Sequence, residues 1–228
     1  SIIKIEKKLK DKDWPQFFLR EVKNVSNKDS PDWMLKRFKM TGIKIISCLV
    51  DITNYINFDL CRPLHVFDAD KIQGNIVIRH SKKGEKFIGL DDQEYTLDDN
   101  MVVICDENKI ISLAGILGGK NSCCDRETKN ILIESAYFLP DSISSTGRKL
   151  NIQSDARYRF ERGIDPESTE NGINLASRMI TKLCGGDLCE IIKDNSSIKK
   201  DKSIEISSNF INQILGTNLN DKLIQEKL

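Results

Sequence analysis

The stretch MVVICDENKIISLAGIL, residues 101–117, holds two nearly continuous apolar runs on either side of a polar turn. Short runs of this kind predict strands, and their lack of polar alternation predicts burial on both faces. The runs NIVIR (75–79) and NILIES (130–135) extend the strand region on both sides. Residues 17–25, FFLREVKNV, mix apolar and charged side chains in the manner of an exposed strand.

Helical patterns flank this strand region. Ser30 before a proline predicts an N-cap, and Gly42 predicts the end of that helix. A second helix is expected over about Val50–Leu60, and a third begins near Asp165–Glu167 and stops at Gly185. The predicted fold class is α+β, with central mixed β-sheets flanked by helices.

Composition excludes several classes of protein. The 228 residues suit one large domain, and 35 basic against 34 acidic residues create no overall field for a polyanion, so any RNA contact must come from a local patch. No apolar run approaches the roughly 18–20 residues of a membrane span. Seven cysteines without a C-x-x-C pair predict reduced, mostly buried thiols in the cytoplasm.

The chain divides by pattern into three parts. We predict one domain over residues 1–192 with its core at about 14–186, a lysine-rich polar linker at 193–202, and the start of a small α/β module at 203–228. That module should begin with a strand, SIEISS, followed by a helix. The chain lacks an initial Met and ends within a helical pattern, so we expect an internal piece of a longer polypeptide.

Histidine and glycine supply the first candidate residues. His65 in PLHVFD is a candidate for chemistry or for a structural role, and no second histidine lies at metal-ligand spacing, so no metal site is predicted. Gly115, Gly118 and Gly119 follow a buried strand, where they admit a ligand to the backbone or permit a tight turn. Their spacing fits neither a dinucleotide fingerprint nor a phosphate loop.

Charged residues supply the second set of candidates. Glu134 should share a strand face with the apolar Leu132, and an inward carboxylate is costly without a partner or a function. The alternative is a strand-end carboxylate that reaches solvent. Arg157, Arg159 and Arg162 lie among aromatic residues and form either an RNA patch or an internal ion network.

Five motifs carry a family resemblance: DITNY (51–55), RPLHVFD (62–68), AGILGG (114–119), ILIESAYF (131–138) and SDARYRFERGIDP (154–166). In order and spacing they resemble the beta subunit of bacterial phenylalanyl-tRNA synthetase, from about Trp14 to Gly186 and more weakly from Ser203. The resemblance implies the editing domain, which hydrolyses tyrosyl-tRNA(Phe). It also implies a cytoplasmic α2β2 parent ligase that binds tRNA(Phe) and an alpha subunit and uses ATP and Mg²⁺. No cofactor is expected in this segment, and neither DNA nor membrane is an expected partner.

The resemblance also assigns roles to individual residues. Glu134 matches the residue that recognises the tyrosine hydroxyl, and His65 matches the editing-pocket histidine near the scissile ester. The other matches form two groups: the residues that contact the amino acid or water are Thr53 and Asn54, and those that line the pocket are Ala114, Gly115, Gly118, Ser154 and Ala156. Candidate tRNA contacts are Arg157, Arg159 and Arg162. Amides of the glycine segment are expected to polarise the ester carbonyl.

Two positions depart from the family pattern. Cys61-Arg62 replaces the usual Gly-Gln, and cysteine resists the left-handed conformation common at a helix end, so the approach to His65 is expected to differ. Ser154 replaces the usual threonine. Neither change removes a proposed polar group, so editing is expected to persist. The alternatives are an editing-inactive module that braces the subunit and its tRNA, and a free-standing trans-editing protein.

Overall fold

The computed structural model describes residues 3–9, 16–194 and 204–227, and the chain divides at Ser196 into two compact units. Trp14 and linker residues 195–202 of the sequence predictions lie outside the described residues. The strands are β1 (Ile5–Lys8), β2 (Gln16–Lys23), β3 (Leu64–Asp68), β4 (Ile76–His80), β5 (Lys86–Ile88), β6 (Glu94–Thr96), β7 (Val102–Cys105), β8 (Ile110–Leu113), β9 (Leu117–Gly118), β10 (Ile131–Tyr137) and β11 (Asp187–Asp194). The helices are α1 (Asp32–Thr41), α2 (Cys48–Leu60), α3 (Pro140–Lys149), α4 (Asp155–Phe160), α5 (Ser168–Cys184), α6 (Ser208–Leu215) and α7 (Asp221–Lys227).

The strands of the first unit assemble into two larger sheets and one small hairpin within the described residues. The five-stranded sheet has the order β1-β4-β7-β8-β9, with β1 parallel to β4 and the other neighbours antiparallel. The four-stranded sheet has the order β11-β2-β10-β3 and is antiparallel throughout. Strands β5 and β6 form the hairpin. The predicted α+β fold with mixed sheets and flanking helices is confirmed.

Strand β10 shows how the layers pack. Because successive side chains of a strand point to opposite faces, Ile131 and Ile133 pack into a core with α1, α2 and α5. Leu132 and Ala136 pack into a second core against the five-stranded sheet. The unit therefore has three layers, sheet, sheet and helices, and β10 is apolar on both faces because it lies in the middle layer.

Most predicted elements of the first unit are present. Residues 101–105 are all buried, and residues 110–117 are buried or nearly so, as expected. Helix α2 covers the predicted Val50–Leu60 and begins two residues earlier. Gly42 ends α1 in a left-handed conformation, and Gly185 ends α5. These ends follow from glycine's freedom at positive φ.

The prediction of an exposed strand over residues 17–25 was wrong. Strand β2 lies between β11 and β10, and Phe17 and Leu19 are fully buried. The charged Arg20, which suggested exposure, donates from Nε to the Cys189 carbonyl at 2.8 Å and from Nη1 to Asn174 Oδ1 at 3.4 Å. The guanidinium of Arg20 is hydrogen-bonded within the fold. The mixture of apolar and charged residues in this segment therefore did not indicate a solvent-exposed strand.

Three further details differ from the predictions. Pro31, not Ser30, occupies the N-cap position of α1, and Ser30 Oγ instead donates to Asp51 Oδ2 at 2.6 Å. Glu134 lies in the middle of β10, not at a strand end. Residues 204–207 form no strand, and the described part of the second unit contains helices α6 and α7. No helix in the described residues combines the length and apolarity needed to cross a bilayer.

Candidate functional site

A cleft of about 560 Å³ opens beside β3, an edge strand of the four-stranded sheet. One wall is helix α2 with the segment that precedes it, and the opposite wall is the loop into β9 with the start of α4. The cleft brings together six of the residues that the sequence analysis singled out, namely Thr53, Asn54, His65, Gly118, Ser154 and Ala156. Residues that are separated by about a hundred positions in the sequence therefore share one site.

Helix α2 presents a polar face to the cleft. Thr53, Asn54 and Asn57 line it, because residues three and four apart lie on the same side of a helix. Thr53 Oγ1 donates to the Val50 carbonyl at 2.7 Å. Asn57 is only 6% exposed, and its Oδ1 has no hydrogen-bond partner in the described part of the chain. Sequence analysis missed Asn57, although its helical spacing from Thr53 and Asn54 was a usable signal.

His65 stands between the sheet and the cleft. Its ring packs edge-on against Phe67, with ring centroids 4.5 Å apart. The Nε2 atom is buried and has no hydrogen-bond partner among the described residues. Burial lowers the pKa of His65 to about 4, so the imidazole is neutral at neutral pH. A neutral ring with a free nitrogen can hold a water or a substrate group.

Gly118 gives the imidazole its space. A Cβ at this position would lie 2.8 Å from His65 Nε2 and 2.9 Å from Leu90 Cδ1, and it would also meet His65 Cε1. Both separations are shorter than any ordinary van der Waals contact. Glycine is therefore required here for close approach rather than for backbone conformation.

Glu134 lies directly opposite His65 in the β10–β3 register. The carboxyl group is 6% exposed, and its Oε2 has no hydrogen-bond partner in the described residues. Burial raises its pKa to about 8, while the charge of Arg62 acts in the opposite direction. Glu134 is therefore mainly protonated at neutral pH. Glu134 is the cross-strand neighbour of a cleft residue but is not among the residues that line the cleft.

Arg62 is a buried hub that sequence analysis noted only as a departure from the family pattern. Its Nη2 donates to Thr169 Oγ1 at 2.9 Å and to the Ala136 carbonyl, and its Nη1 donates to Ser168 Oγ at 3.2 Å. Burial lowers its pKa to about 10. The guanidinium thus ties β10 to the beginning of α5. In the sequence, a single arginine next to a proline gives no signal that it will be buried and join two elements.

Cys61 ends helix α2 in the left-handed conformation, with φ 52°. The cysteine thus adopts the backbone that glycine favours at such a position, at a steric cost of about 1–2 kcal/mol. Chain direction into β3 is set by this turn, and β3 carries His65.

The start of α4 is fixed to the cleft by Ser154. Its Oγ donates to the Ile116 carbonyl at 2.6 Å and accepts from the Arg157 amide at 3.1 Å as the N-cap. The hydroxyl therefore joins the helix to the loop that carries Gly118. Ala156, the second residue of α4, adds a small side chain to the same wall.

The three arginines after Ser154 have different environments. Arg157 is buried and pairs with Glu161 at 3.0 Å, so it belongs to the internal ion network that was the alternative to RNA contact. Arg159 lies over the Phe58 ring at 4.8 Å. Arg162 is exposed and lies over Tyr158 at 3.7 Å, and Tyr158 is itself 58% exposed. Arg162 is the arginine of this set best placed to meet a partner.

Ala114 and Gly115 are not brought to the cleft. Ala114 is buried in the core between the sheets. Gly115 has φ +66°, and a Cβ there would lie 2.7 Å from Phe138 and 2.8 Å from Ile143. Their surroundings fit the alternative of a tight turn after a strand. Nor do the described residues contain a group of three or more His, Cys, Asp or Glu side chains placed to hold a metal ion.

Comparison with known proteins identifies the family of the chain. The family model of the B3/4 domain matches residues 13–185. The chain belongs to the B3/4 domain family. The matched range includes the whole cleft and also Glu134.

Two curated relatives are beta subunits of phenylalanine–tRNA ligase. The phenylalanine–tRNA ligase beta subunit of Rhodopseudomonas palustris is 46% identical over 202 residues, which are 89% of this chain and 25% of that protein. That of Brucella abortus is 53% identical over 170 residues, or 75% of this chain and 21% of that protein. The predicted similarity to this family is confirmed, and the chain spans about a quarter of the length of these curated relatives.

A solved structure shares the fold. An N-terminal fragment of the phenylalanyl-tRNA synthetase beta subunit from Pyrococcus horikoshii superimposes with a TM-score of 0.54 and 17% sequence identity. The match covers 99% of this chain and 63% of that chain. At this identity the likeness supports the architecture of sheets and helices and nothing finer.

Proposed function

We propose that this B3/4 chain is the editing domain of a phenylalanine–tRNA ligase beta subunit and hydrolyses tyrosyl-tRNA(Phe). The observation that carries the proposal is the pair formed by His65 and Glu134. They are cross-strand neighbours beside a 560 Å³ cleft, and each has a buried polar atom without a partner in the described residues. Buried groups of this kind are costly to fold and are expected where a ligand completes them.

The need for a second site follows from the chemistry of the two amino acids. Tyrosine differs from phenylalanine by one hydroxyl, and an apolar pocket rejects an added hydroxyl by only about a hundredfold. A site built to hydrogen-bond that hydroxyl discriminates by about 10⁴–10⁵, because phenylalanine leaves its polar group unpaired. Glu134 is the group assigned to this task.

The protonation state of Glu134 suits the task. A protonated carboxyl group can donate to the phenol oxygen and accept from the phenol hydrogen. Burial keeps water away from Glu134, so the tyrosine hydroxyl would supply the hydrogen bond that this carboxyl group lacks. Phenylalanine has no hydroxyl and would not. The selection is by hydrogen bonding at the ring end of the substrate, away from the ester.

His65 acts at the other end of the substrate. An aminoacyl ester is already an activated acyl group, so a positioned water and stabilisation of the developing oxyanion can suffice. The neutral imidazole, held by Phe67 and given room by Gly118, presents its free Nε2 to orient the ester or the water. The proposal includes no covalent nucleophile.

Deacylation assays test the proposal in the complete alpha–beta enzyme. Tyrosyl- and phenylalanyl-tRNA(Phe) are offered to enzymes with wild-type, Glu134→Ala or Glu127→Ala beta chains. Glu127 is an exposed carboxylate outside the cleft and serves as the matched control. We expect selective loss of the tyrosyl ester with the wild type and the control, and a loss of selectivity of at least about a hundredfold with Glu134→Ala.

Two outcomes would contradict the proposal. Normal selectivity in Glu134→Ala would remove the assigned role of that residue. Absence of selective hydrolysis in the wild type would leave the chain as a structural module of its subunit. In the proposed parent ligase the partners are tRNA(Phe) and the alpha subunit in the cytoplasm, and the ligase uses ATP and Mg²⁺ for synthesis.

A further inference from the structure

The cleft contains a polar group that the proposed mechanism does not use. Asn57 lines the cleft from helix α2, is only 6% exposed, and has an Oδ1 atom without a hydrogen-bond partner in the described part of the chain. Its neighbours at helical spacing have other surroundings: Thr53 is bonded to the Val50 carbonyl, and Asn54 is more exposed than Asn57. An unpaired buried amide oxygen is costly to the folded state, and a substrate donor would remove this cost.

The donor and acceptor character of an aminoacyl ester narrows the choice of partner. The ester carbonyl only accepts hydrogen bonds, so an amide oxygen cannot serve it. The phenol is assigned to Glu134, the cross-strand neighbour of His65. The α-ammonium group only donates, and an amide oxygen only accepts. The α-ammonium group is therefore a suitable hydrogen-bond donor for Asn57 Oδ1.

Several other acceptors of the cleft are already engaged. The Ile116 carbonyl accepts from Ser154 Oγ, and the Leu117 carbonyl accepts from Ser112 Oγ. The Asp155 carboxylate is exposed and pairs with Arg159 at 3.5 Å. Asn57 Oδ1 is the buried side-chain oxygen of the lining that has no partner within the described residues.

We propose that Asn57 binds the α-ammonium group of the aminoacyl ester in this cleft, an inference that rests on the proposed editing function. The contact would anchor the amino acid between its ring and its ester and fix the ester beside His65. A hydrogen bond to a charged group is of the strong class, and its loss corresponds to about a ten- to hundredfold change in kcat/KM.

The test removes the ammonium group from the substrate and the amide from the protein. Complete alpha–beta enzyme is given tRNA(Phe) acylated with tyrosine or with 3-(4-hydroxyphenyl)propionate, which keeps the phenol and lacks the amine. Each kcat/KM is divided by the rate constant of the same ester without enzyme, since the amine itself activates the ester, and the two esters are compared on this corrected scale. The wild type should favour the tyrosyl ester by about ten- to a hundredfold in kcat/KM, and Asn57→Leu should reduce this preference to near one.

Asn57→Asp provides the matched comparison. It keeps an accepting oxygen, replaces the amide donor and adds an ionisable carboxyl group, so the preference for the amine-bearing ester should persist or increase. If Asn57→Leu does not fold, as judged by thermal unfolding of the beta chain, Asn57→Asp still decides, because collapse of its preference would contradict the inference. An unchanged preference in Asn57→Leu would overturn it as well. Hydrolysis of neither ester by the wild type would instead refute the editing function, and the inference with it.

Discussion

Replacement of Glu134 by glutamine isolates the energetic cost of a buried carboxyl group. Glutamine has the same shape and cannot ionise, so the variant removes only the titration of this site. The pKa of Glu134 is raised by burial from 4.5 to about 8. The folded state therefore binds a proton that the unfolded state releases over this range, and the contribution of Glu134 to stability is lost as the pH rises from about 4.5 to about 8.

The size of the effect follows from the same two values. One pKa unit corresponds to about 1.36 kcal/mol, so the change from 4.5 to about 8 sets an upper limit of about 5 kcal/mol at high pH. At neutral pH the cost is about 3 kcal/mol, and near pH 5 it is below about 1 kcal/mol. These amounts are a large part of the roughly 5–15 kcal/mol that stabilises a folded domain.

Urea unfolding of the wild type and Glu134→Gln at several values between about pH 5 and pH 9 measures this cost. The free energy of unfolding of the variant should exceed that of the wild type by an amount that grows with pH. His65, whose pKa is lowered to about 4, loses its contribution as pH falls below about 6.5, and this term is common to both proteins. A difference that stays constant across the range would refute a raised pKa at Glu134.

Two further substitutions test the turn and the hub beside the cleft. Cys61→Gly should raise the free energy of unfolding by about 1 kcal/mol in thermal unfolding, because φ 52° strains a side chain at this position, whereas the control Cys61→Ala should give no gain. Arg62→Ala should lower it by about 3–5 kcal/mol in urea unfolding, because Thr169 Oγ1 and the Ala136 carbonyl lose their buried donor. The control Arg148→Ala, at an exposed position, should change the free energy of unfolding by less than about 0.5 kcal/mol. An equal loss of stability in both arginine variants would contradict the role of Arg62 as a hub.

Local sequence patterns predicted the elements whose signals are local. The apolar runs around 101–117 became β7, β8 and β9, and Gly42 and Gly185 ended helices because a left-handed end requires glycine's freedom. For residues 17–25 the local pattern gave a wrong prediction, that of an exposed strand. Arg20 suggested solvent exposure, while its hydrogen bonds to β11 and α5 allow β2 to be buried. Such partners are distant in sequence, so no local pattern contains them.

The candidate site divides in a similar way. Motif resemblance selected six residues that meet in the cleft, and strand alternation put Glu134 on an inward face before its partners were known. The sequence motifs also selected Ala114 and Gly115, which pack outside the cleft, and Arg157, which is buried in an ion pair. Arg62 and Asn57 gained their importance only from burial, which depends on what packs against them.

The sequence by itself determined most types of element and the α+β class, and it offered an inward face for Glu134 as one of two interpretations, because these depend on periods of two and 3.6 residues within one segment. Tertiary structure alone decided which polar groups are buried without partners. The register that sets Glu134 opposite His65, and the close approach of Gly118 to that imidazole, arise where separate segments meet. The pKa values near 8 and 4 follow from the loss of water at that meeting point, which no single segment specifies.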